Sequence, residues 1–336
     1  MTAMLPRTGV AFLGLVVVTA LTSCGEEPNE ADRQIATPSD SDVSDSAAPT
    51  APAPPVTPAA FDVRLELPDS PDWLAAGFGS VWVKRDNGAV ERVATTGRAE
   101  ATIDADVFQE PVCQGIGVTD TAVWACATGG TLIRIDPADN TFSTMDIPKI
   151  NEQGRLASSN GLLWVLTGDG DRLEGVSDEG RVVETIDLGA FCTDTADTAD
   201  AGVLWVVCSY DGTALRVDLE AGEVTGQVTG LPGAAYVSVA GAAWVAYEEG
   251  LARIDPDALE VVATIPLDVG SIRATDDGVW VRGTGDAFLT LVDPDSGEVT
   301  TRWGSPDVTS GGDVVELEGR VWVSAYDDGV MLRLAR

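Results

Sequence analysis

Seven tryptophans sit in one repeated local frame, and their spacing limits what this chain can fold into more than any other feature. Val81-Trp82-Val83, Val123-Trp124-Ala125, Leu163-Trp164-Val165, Leu204-Trp205-Val206, Ala243-Trp244-Val245, Val279-Trp280-Val281 and Val321-Trp322-Val323 follow one another at intervals of 36 to 42 residues. An interval of about 40 residues, filled with short alternating β-branched segments, is the length of one four-stranded propeller blade. Each unit repeats the same order. A small-residue stretch such as Trp73-Leu74-Ala75-Ala76-Gly77 reads as the innermost strand, where bulky side chains would crowd the axis. The tryptophan strand follows, then a Gly/Asp loop, then a third strand such as Leu132-Ile133-Arg134-Ile135. That strand ends in a turn of the type Asp136-Pro137-Ala138-Asp139-Asn140, Asp255-Pro256-Asp257-Ala258 or Asp293-Pro294-Asp295-Ser296-Gly297. Asp accepts backbone hydrogen bonds in such a turn and Pro presets φ. Val182-Val183-Glu184-Thr185-Ile186, Val261-Val262-Ala263-Thr264-Ile265 and Val299-Thr300-Thr301-Arg302-Trp303 read as fourth strands. An array of helical repeats is disfavoured, because no unit has a 3.6-residue period and 36 Gly and 18 Pro are spread along the chain.

The seventh unit reaches Val330-Met331-Leu332-Arg333-Leu334 and has no fourth strand after it. A matching segment, Phe61-Asp62-Val63-Arg64-Leu65-Glu66-Leu67, precedes the first inner strand. Lending it to the last blade closes the ring and removes two open sheet edges. The expectation is an all-β, seven-bladed β-propeller of four-stranded blades over residues 61–336, closed by an N-terminal strand. Trp73 and Trp303 fall outside the repeated frame.

The succession V-W-V, then R-I-D-P-x-x-G/N, then V-V-x-T-I over seven units resembles the YVTN-type and virginiamycin B lyase-like seven-bladed propellers. The matching residues are blade-core and turn residues, so the resemblance speaks for the fold and poorly for function. Within that group the lyase branch combines a metal with a histidine general base. This chain contains no histidine, so the imidazole has no counterpart here.

The same absence excludes a Ser-His-Asp triad, a Cys-His pair and every His-ligated metal. With 54 Asp+Glu against 20 Lys+Arg the chain carries a formal charge of −34. Phosphate contacts need an excess of basic side chains, so nucleic acid is not an expected partner. An anionic lipid surface would repel the chain as well.

The first 23 residues offer another route to a membrane. Arg7 supplies a positive start, Val10 to Leu21 form an apolar run too short to span hydrocarbon comfortably, and Leu21-Thr22-Ser23-Cys24 follows. This resembles a bacterial lipobox, which implies a signal peptide over residues 1–23 and a lipidated Cys24. Residues 24–60, rich in Ala, Pro, Ser, Thr and acidic groups, read as a disordered spacer. The expected location is the extracytoplasmic face of the cell membrane, held by lipid alone.

Four further cysteines remain in a compartment that permits disulfides. Cys113 and Cys126 fall on one antiparallel hairpin, and Cys192 and Cys208 on the corresponding hairpin two blades later, so the expected pairs are Cys113–Cys126 and Cys192–Cys208. A thiolate metal site would need a CxxC spacing that is absent.

The loops joining second and third strands share a face with the connections between blades. Trp73, Arg155, Tyr236, Arg273 and Asp313 fall near the channel mouth on that face, and Tyr210, Tyr247 and Tyr326 on the loops around it. Asp169-Gly170-Asp171 and Asp327-Asp328 are the places where Ca²⁺ or Mg²⁺ could be held through oxygen, although neither matches an EF-hand loop. No cofactor is expected. The expected function is binding or scaffolding, by a monomer, of an envelope protein or a small polar ligand. The competing reading is a carboxylate- or metal-dependent lyase or hydrolase acting at the same mouth.

Overall fold

The computed structural model describes residues 53–105, 113–127, 129–147, 149–151, 154–196, 198–309 and 311–335. Every regular element among them is a strand, and the strands form seven sheets arranged as the blades of a propeller. The first blade runs Pro71–Gly77, Ser80–Arg85, Val90–Ala94, Ala99–Ile103 from the axis outward, each strand antiparallel to the next. Five further blades follow the same order. In the seventh, Val314–Leu317, Arg320–Ala325 and Val330–Leu334 are completed by Phe61–Glu66, antiparallel to Val330–Leu334. The N-terminal segment closes the ring, as its pattern indicates.

The seven framed tryptophans are all on second strands and are all buried to 1% exposure or less. Each packs into a seam with its neighbour blade. Trp124, for example, lies among Leu156, Leu163 and Val165 of the third blade, and Trp322 among Val81 and Val83 of the first. Across each blade the tryptophan's register partner on the third strand is an arginine in five cases: Arg92, Arg134, Arg216, Arg253 and Arg333. The guanidinium of Arg92 lies 5.1 Å from the Trp82 ring and that of Arg333 lies 5.2 Å from Trp322, within cation–π range. Three of these arginines also reach forward. Arg92 donates to Pro137 O (2.6 Å) and Asn140 Oδ1 (3.0 Å) on the second blade, Arg253 donates to Asp295 O (2.7 Å) on the sixth, and Arg333 donates to Thr95 O on the first. In these three blades the third-strand arginine therefore lies over its own tryptophan and latches the next blade.

Two blades lack that arginine and compensate differently. Gly175 faces Trp164, where an added Cβ would sit 3.1 Å from the ring. Leu291 faces Trp280, and Trp303 from the fourth strand stacks on that ring at 5.8 Å and 29°. Trp303 is thus the aromatic substitute for the missing guanidinium.

The Asp turns work as expected. Asp136, Asp218, Asp255 and Asp293 each accept backbone N–H groups through Oδ1, from Ala138 (2.8 Å), Ala221 (2.9 Å), Ala258 (2.9 Å) and Ser296 (2.8 Å). Four residues on, Asn140, Gly222, Leu259 and Gly297 all take a left-handed φ between 56° and 73°. The bonds hold the Asp255 and Asp293 carboxyls below the usual range.

One strand lies in the stretch that reads as spacer. Val56–Pro58 pairs in parallel with Val299–Gly304, the outer strand of the sixth blade, making that sheet five-stranded. Thr57 Oγ1 donates to Arg302 O (3.1 Å) and Ala59 N to Gly304 O (2.8 Å). A Cβ at Gly304 would meet Val56 Cγ1 and Asp286 O at 2.8 Å each, so only glycine lets this strap lie flat. Pro and Thr within three residues give no periodic signal, and the strap is stabilised by main-chain pairing that composition does not report.

Candidate functional site

Strand direction alternates across each blade, so the inner strands begin where the second strands end, on the face that carries the blade connections. At that level, two residues beyond the blade tryptophan, the inner strands contribute Trp73, Gly115, Arg155, Asp194, Tyr236 and Asp313 to the axis. The axis is therefore not confined to small side chains. Gly115 and Gly117 leave the second blade bare there, and a Cβ at Gly117 would lie 2.3 Å from Leu156 O of the third.

Arg155 plugs the channel. Its guanidinium donates to Val237 O (3.2 Å) and Ile272 O (3.2 Å), and pairs with Asp194 Oδ2 (3.7 Å) and Asp313 Oδ1 (3.6 Å). It lies against two rings, 5.6 Å from Trp73 and 5.2 Å from Tyr236, which themselves pack together at 5.7 Å, the three groups forming a triangle. Asp313 is the hub of a second set. Its Oδ2 faces Arg273 (3.7 Å) and accepts from Leu74 N (3.1 Å), while Oδ1 accepts from Val314 N (2.9 Å). Arg155 and Asp313 are 2% and 1% exposed. Sequence places both at the mouth, and there they stand, but beneath its surface. So does Arg273, one level deeper than Arg155. The ion pairs link inner strands of the third, fourth, sixth and seventh blades, and a buried pair of this kind holds geometry more than it adds stability.

Burial sets the protonation of these groups. The Asp194 carboxyl is pushed up to about 6 by desolvation, against the pull of Arg155 and the backbone N–H it accepts from Arg155 (2.8 Å). Tyr236 is pushed up to about 12 by burial and the neighbouring carboxylates. Asp72, beside Trp73, is raised to about 7 by burial and by Asp313 and Asp86, with Lys84 pulling the other way. Lys84 is buried and donates to Cys126 O (2.7 Å). Arg282, buried over Phe288, donates to Gly283 O (2.7 Å), Phe288 O (2.8 Å) and Ser324 O (3.2 Å), and desolvation lowers it to about 10. Lys84 and Arg282 stand at the ends of second strands, next to the loop face, and both are internal props.

Above the plug lies a cleft of about 230 Å³ lined by Trp73, Gln114, Thr193, Ser209, Tyr210, Ala235 and Tyr236. Thr193 and Ser209 hydroxyls are 2.6 Å apart. Tyr210 stands at the rim, 83% exposed, in an edge contact of 5.1 Å with the exposed ring of Phe191. Tyr247 is buried in its blade and donates to Thr264 Oγ1 (3.1 Å), so it does not join the cleft. Tyr326 donates to Asp86 Oδ2, which raises the phenol to about 12. Gln114, Asp72 and Asp194 carry no motif, and only the folded ring brings them to the mouth.

The carboxylates considered for a divalent cation do not assemble one. Among the described residues no three of Cys, Asp and Glu converge as a metal would require, and the axial pair Asp194 and Asp313 is engaged by arginines. Asp169 and Asp171 are exposed on one loop, while Asp328 accepts from Thr309 N and Oγ1, both at 2.9 Å. The donor set does not fit the metal that the lyase resemblance implies. The cysteines pair as Cys113–Cys126 and Cys192–Cys208. Cys24 lies outside the described residues.

No protein-family model and no curated protein sequence matches the chain. Among solved structures its fold is similar to the Pan2 WD40 domain of Neurospora crassa, at 9% identity and a TM-score of 0.65 over 84% of this chain and 97% of that one. It is also similar to a streptogramin B lyase, at 17% identity and a TM-score of 0.64 over 81% and 95%. Virginiamycin B lyase from Staphylococcus aureus matches at 14% identity and a TM-score of 0.67, over 81% of this chain and 98% of that one. Likeness at such identities carries the architecture and not the chemistry: the chain is a seven-bladed β-propeller with virginiamycin B lyase-like structural neighbours.

Proposed function

We propose that this protein is a binding module, held outside the cell membrane by lipid on Cys24, that presents the connection face of its propeller to a protein or a small polar ligand. The observation that carries this reading is the state of the channel mouth. Its buried charges are spent on one another and on backbone carbonyls, and what opens to solvent is a cleft of aromatic, hydroxyl and amide groups around Tyr210. Such a lining recognises shape and polarity. Of the residues that line the cleft only the tyrosines titrate, and Tyr236, pushed up to about 12, keeps its proton at neutral pH and is a poor base.

The test uses the full chain and Tyr210→Ala as immobilised baits for envelope extract and for a small-molecule thermal-shift panel. A partner or ligand retained by wild type and lost by the variant, at equal melting temperature, supports the reading. Turnover of a small molecule, abolished by chelation, would replace it with the lyase or hydrolase alternative. The anchoring part is tested separately: Cys24→Ala should leave the membrane fraction or remain unprocessed, and its retention on membranes after processing would refute lipid attachment.

A further inference from the structure

The connection face holds a second recess, where the third blade meets the second. Its volume is about 340 Å³, and it shares no residue with the cleft around Tyr210. Strand register brings its walls together. On the second strand of the third blade Leu163 and Val165 pack around Trp124 of the second blade, and Thr167, two residues on, turns to the same side. Arg172 is the register partner of Thr167 and Glu174 that of Val165, so their side chains share that face. Lys149 arrives from the connection between the blades. The bridge between Ile150 and Thr167 and the bond from Asn151 N to Leu166 O (2.7 Å) hold that connection in place. Asp169 and Asp171 come from the loop between Thr167 and Arg172, and Val182 supplies an apolar wall.

Two properties of this lining point to a ligand. Thr167 is 1% exposed, and its hydroxyl, on the wall of the recess, has no hydrogen-bond partner among the described residues. A buried hydroxyl left unpaired costs free energy that a ligand's polar group would recover. The charges, in turn, stand apart. Although acidic residues outnumber basic ones 54 to 20, neither Lys149 nor Arg172 forms an ion pair with any described residue. The three carboxylates do not converge as a metal would require. A simple anion would meet Asp169, Asp171 and Glu174, and a simple cation would meet Lys149 and Arg172. A ligand that carries both charges on a short frame satisfies each set. Arg172 and Glu174, two residues apart on one strand, have Cα atoms about 7 Å apart, a separation that a carboxylate and an ammonium on one carbon can bridge. We infer that this recess binds a small zwitterion of the α-amino acid type. Its carboxylate lies between Lys149 and Arg172 and accepts from the Thr167 hydroxyl, its ammonium lies at Glu174 and the loop carboxylates, and its side chain lies against Val182. The volume is at the small end of ligand pockets, which favours a compact side chain. The recess goes beyond the binding-module reading and does not depend on the Tyr210 cleft.

The experiment titrates the full chain calorimetrically with L-alanine and L-serine, and with two controls that each lack one charge, L-alaninamide and N-acetyl-L-alanine. The expected result is saturable binding of a zwitterion in the millimolar range or tighter, about tenfold stronger than either control. Thr167→Val should weaken that binding severalfold without lowering the melting temperature, because the hydroxyl it removes has no partner to lose. With Lys149→Met and Arg172→Met combined, the advantage of L-alanine over L-alaninamide should vanish. With Glu174→Gln, the advantage over N-acetyl-L-alanine should shrink. Lys149 and Arg172 are exposed, so their double variant should keep the wild-type circular dichroism spectrum. Tyr210→Ala should bind L-alanine as wild type does. No saturable binding of either zwitterion, equal affinity for a singly charged control, or an unchanged preference in the double variant would overturn the inference. So would a Thr167→Val chain that melts lower and binds as before. Loss of L-alanine with Tyr210→Ala would move the amino acid to the central cleft, overturning this site while supporting the binding-module reading.

Discussion

Replacing Asp72 with Asn should stabilise this protein at alkaline pH while doing little in acid. The native fold pushes the Asp72 carboxyl from 3.8 up to about 7, chiefly by burial and then by Asp313 and Asp86. An unfolded chain releases that proton near pH 3.8, whereas the native state keeps it to about pH 7. Between those values the native state binds the extra proton, so stability falls as pH rises and the full cost stands above pH 7. At 1.36 kcal/mol per pH unit the span corresponds to about 4 kcal/mol, and the partly open site reduces this to about 2–3 kcal/mol. Asparagine has the same shape and no charge to desolvate, so it escapes that cost. Urea denaturation of wild type and variant at pH 4.5 and pH 8.5 isolates the effect as a difference of differences, since the other acidic groups cancel. The expected outcome is near equality at pH 4.5 and a more stable variant at pH 8.5. A variant that is less stable than wild type by the same amount at both pH values would refute the account of Asp72 as a strained carboxylate.

Arg155→Met should cost about 3–5 kcal/mol by stranding Asp194 and Asp313 in the channel, and adding Asp194→Asn should recover part of it; a denaturant series of single and double variants checks both. The Arg155→Met loss should also shrink below pH 6, where Asp194 is protonated and no longer needs the cation. Opening either disulfide, Cys113–Cys126 or Cys192–Cys208, should lower stability by about 3 kcal/mol, because each closes a loop of only 13 or 16 residues in sequence; melting of serine double variants measures it. Deleting residues 61–66 should broaden or abolish cooperative melting, while deleting 26–50 should leave the midpoint in place.

How much of this was legible depends on where the information sits along the chain. The blades were readable because the tryptophan, the R-I-D-P strand and the Asp turn lie within one 40-residue unit and report local geometry. The closing strand was readable because Phe61–Glu66 alternates and the last unit lacks a partner. The axial plug was legible only as a set of names. Arg155 meets Asp194 across 39 residues and Ile272 across 117, and no periodic pattern says which charged residue finds a buried partner so far away. Sequence alone therefore placed Arg155, Arg273 and Asp313 on an open surface. It also gave no role to Asp72 or Gln114, whose significance comes from neighbours on other blades, or to Trp303, which acts where a periodic arginine is missing.

The strap formed by Val56–Pro58 has a mechanical consequence. Any pull arriving from the N-terminal side reaches the sixth blade before it reaches the strand that closes the ring. Because the strap runs parallel to Val299–Gly304, a force drawn back along its axis loads the bonds at Arg302 and Gly304 together, in shear, instead of opening them one after another. The closing strand feels tension only after the strap has slipped through Ala59 and Ala60. The rate of ring opening under load is then set first by three residues clipped to the outer rim, and a propeller with this clip can be held by its end without being unwound from it.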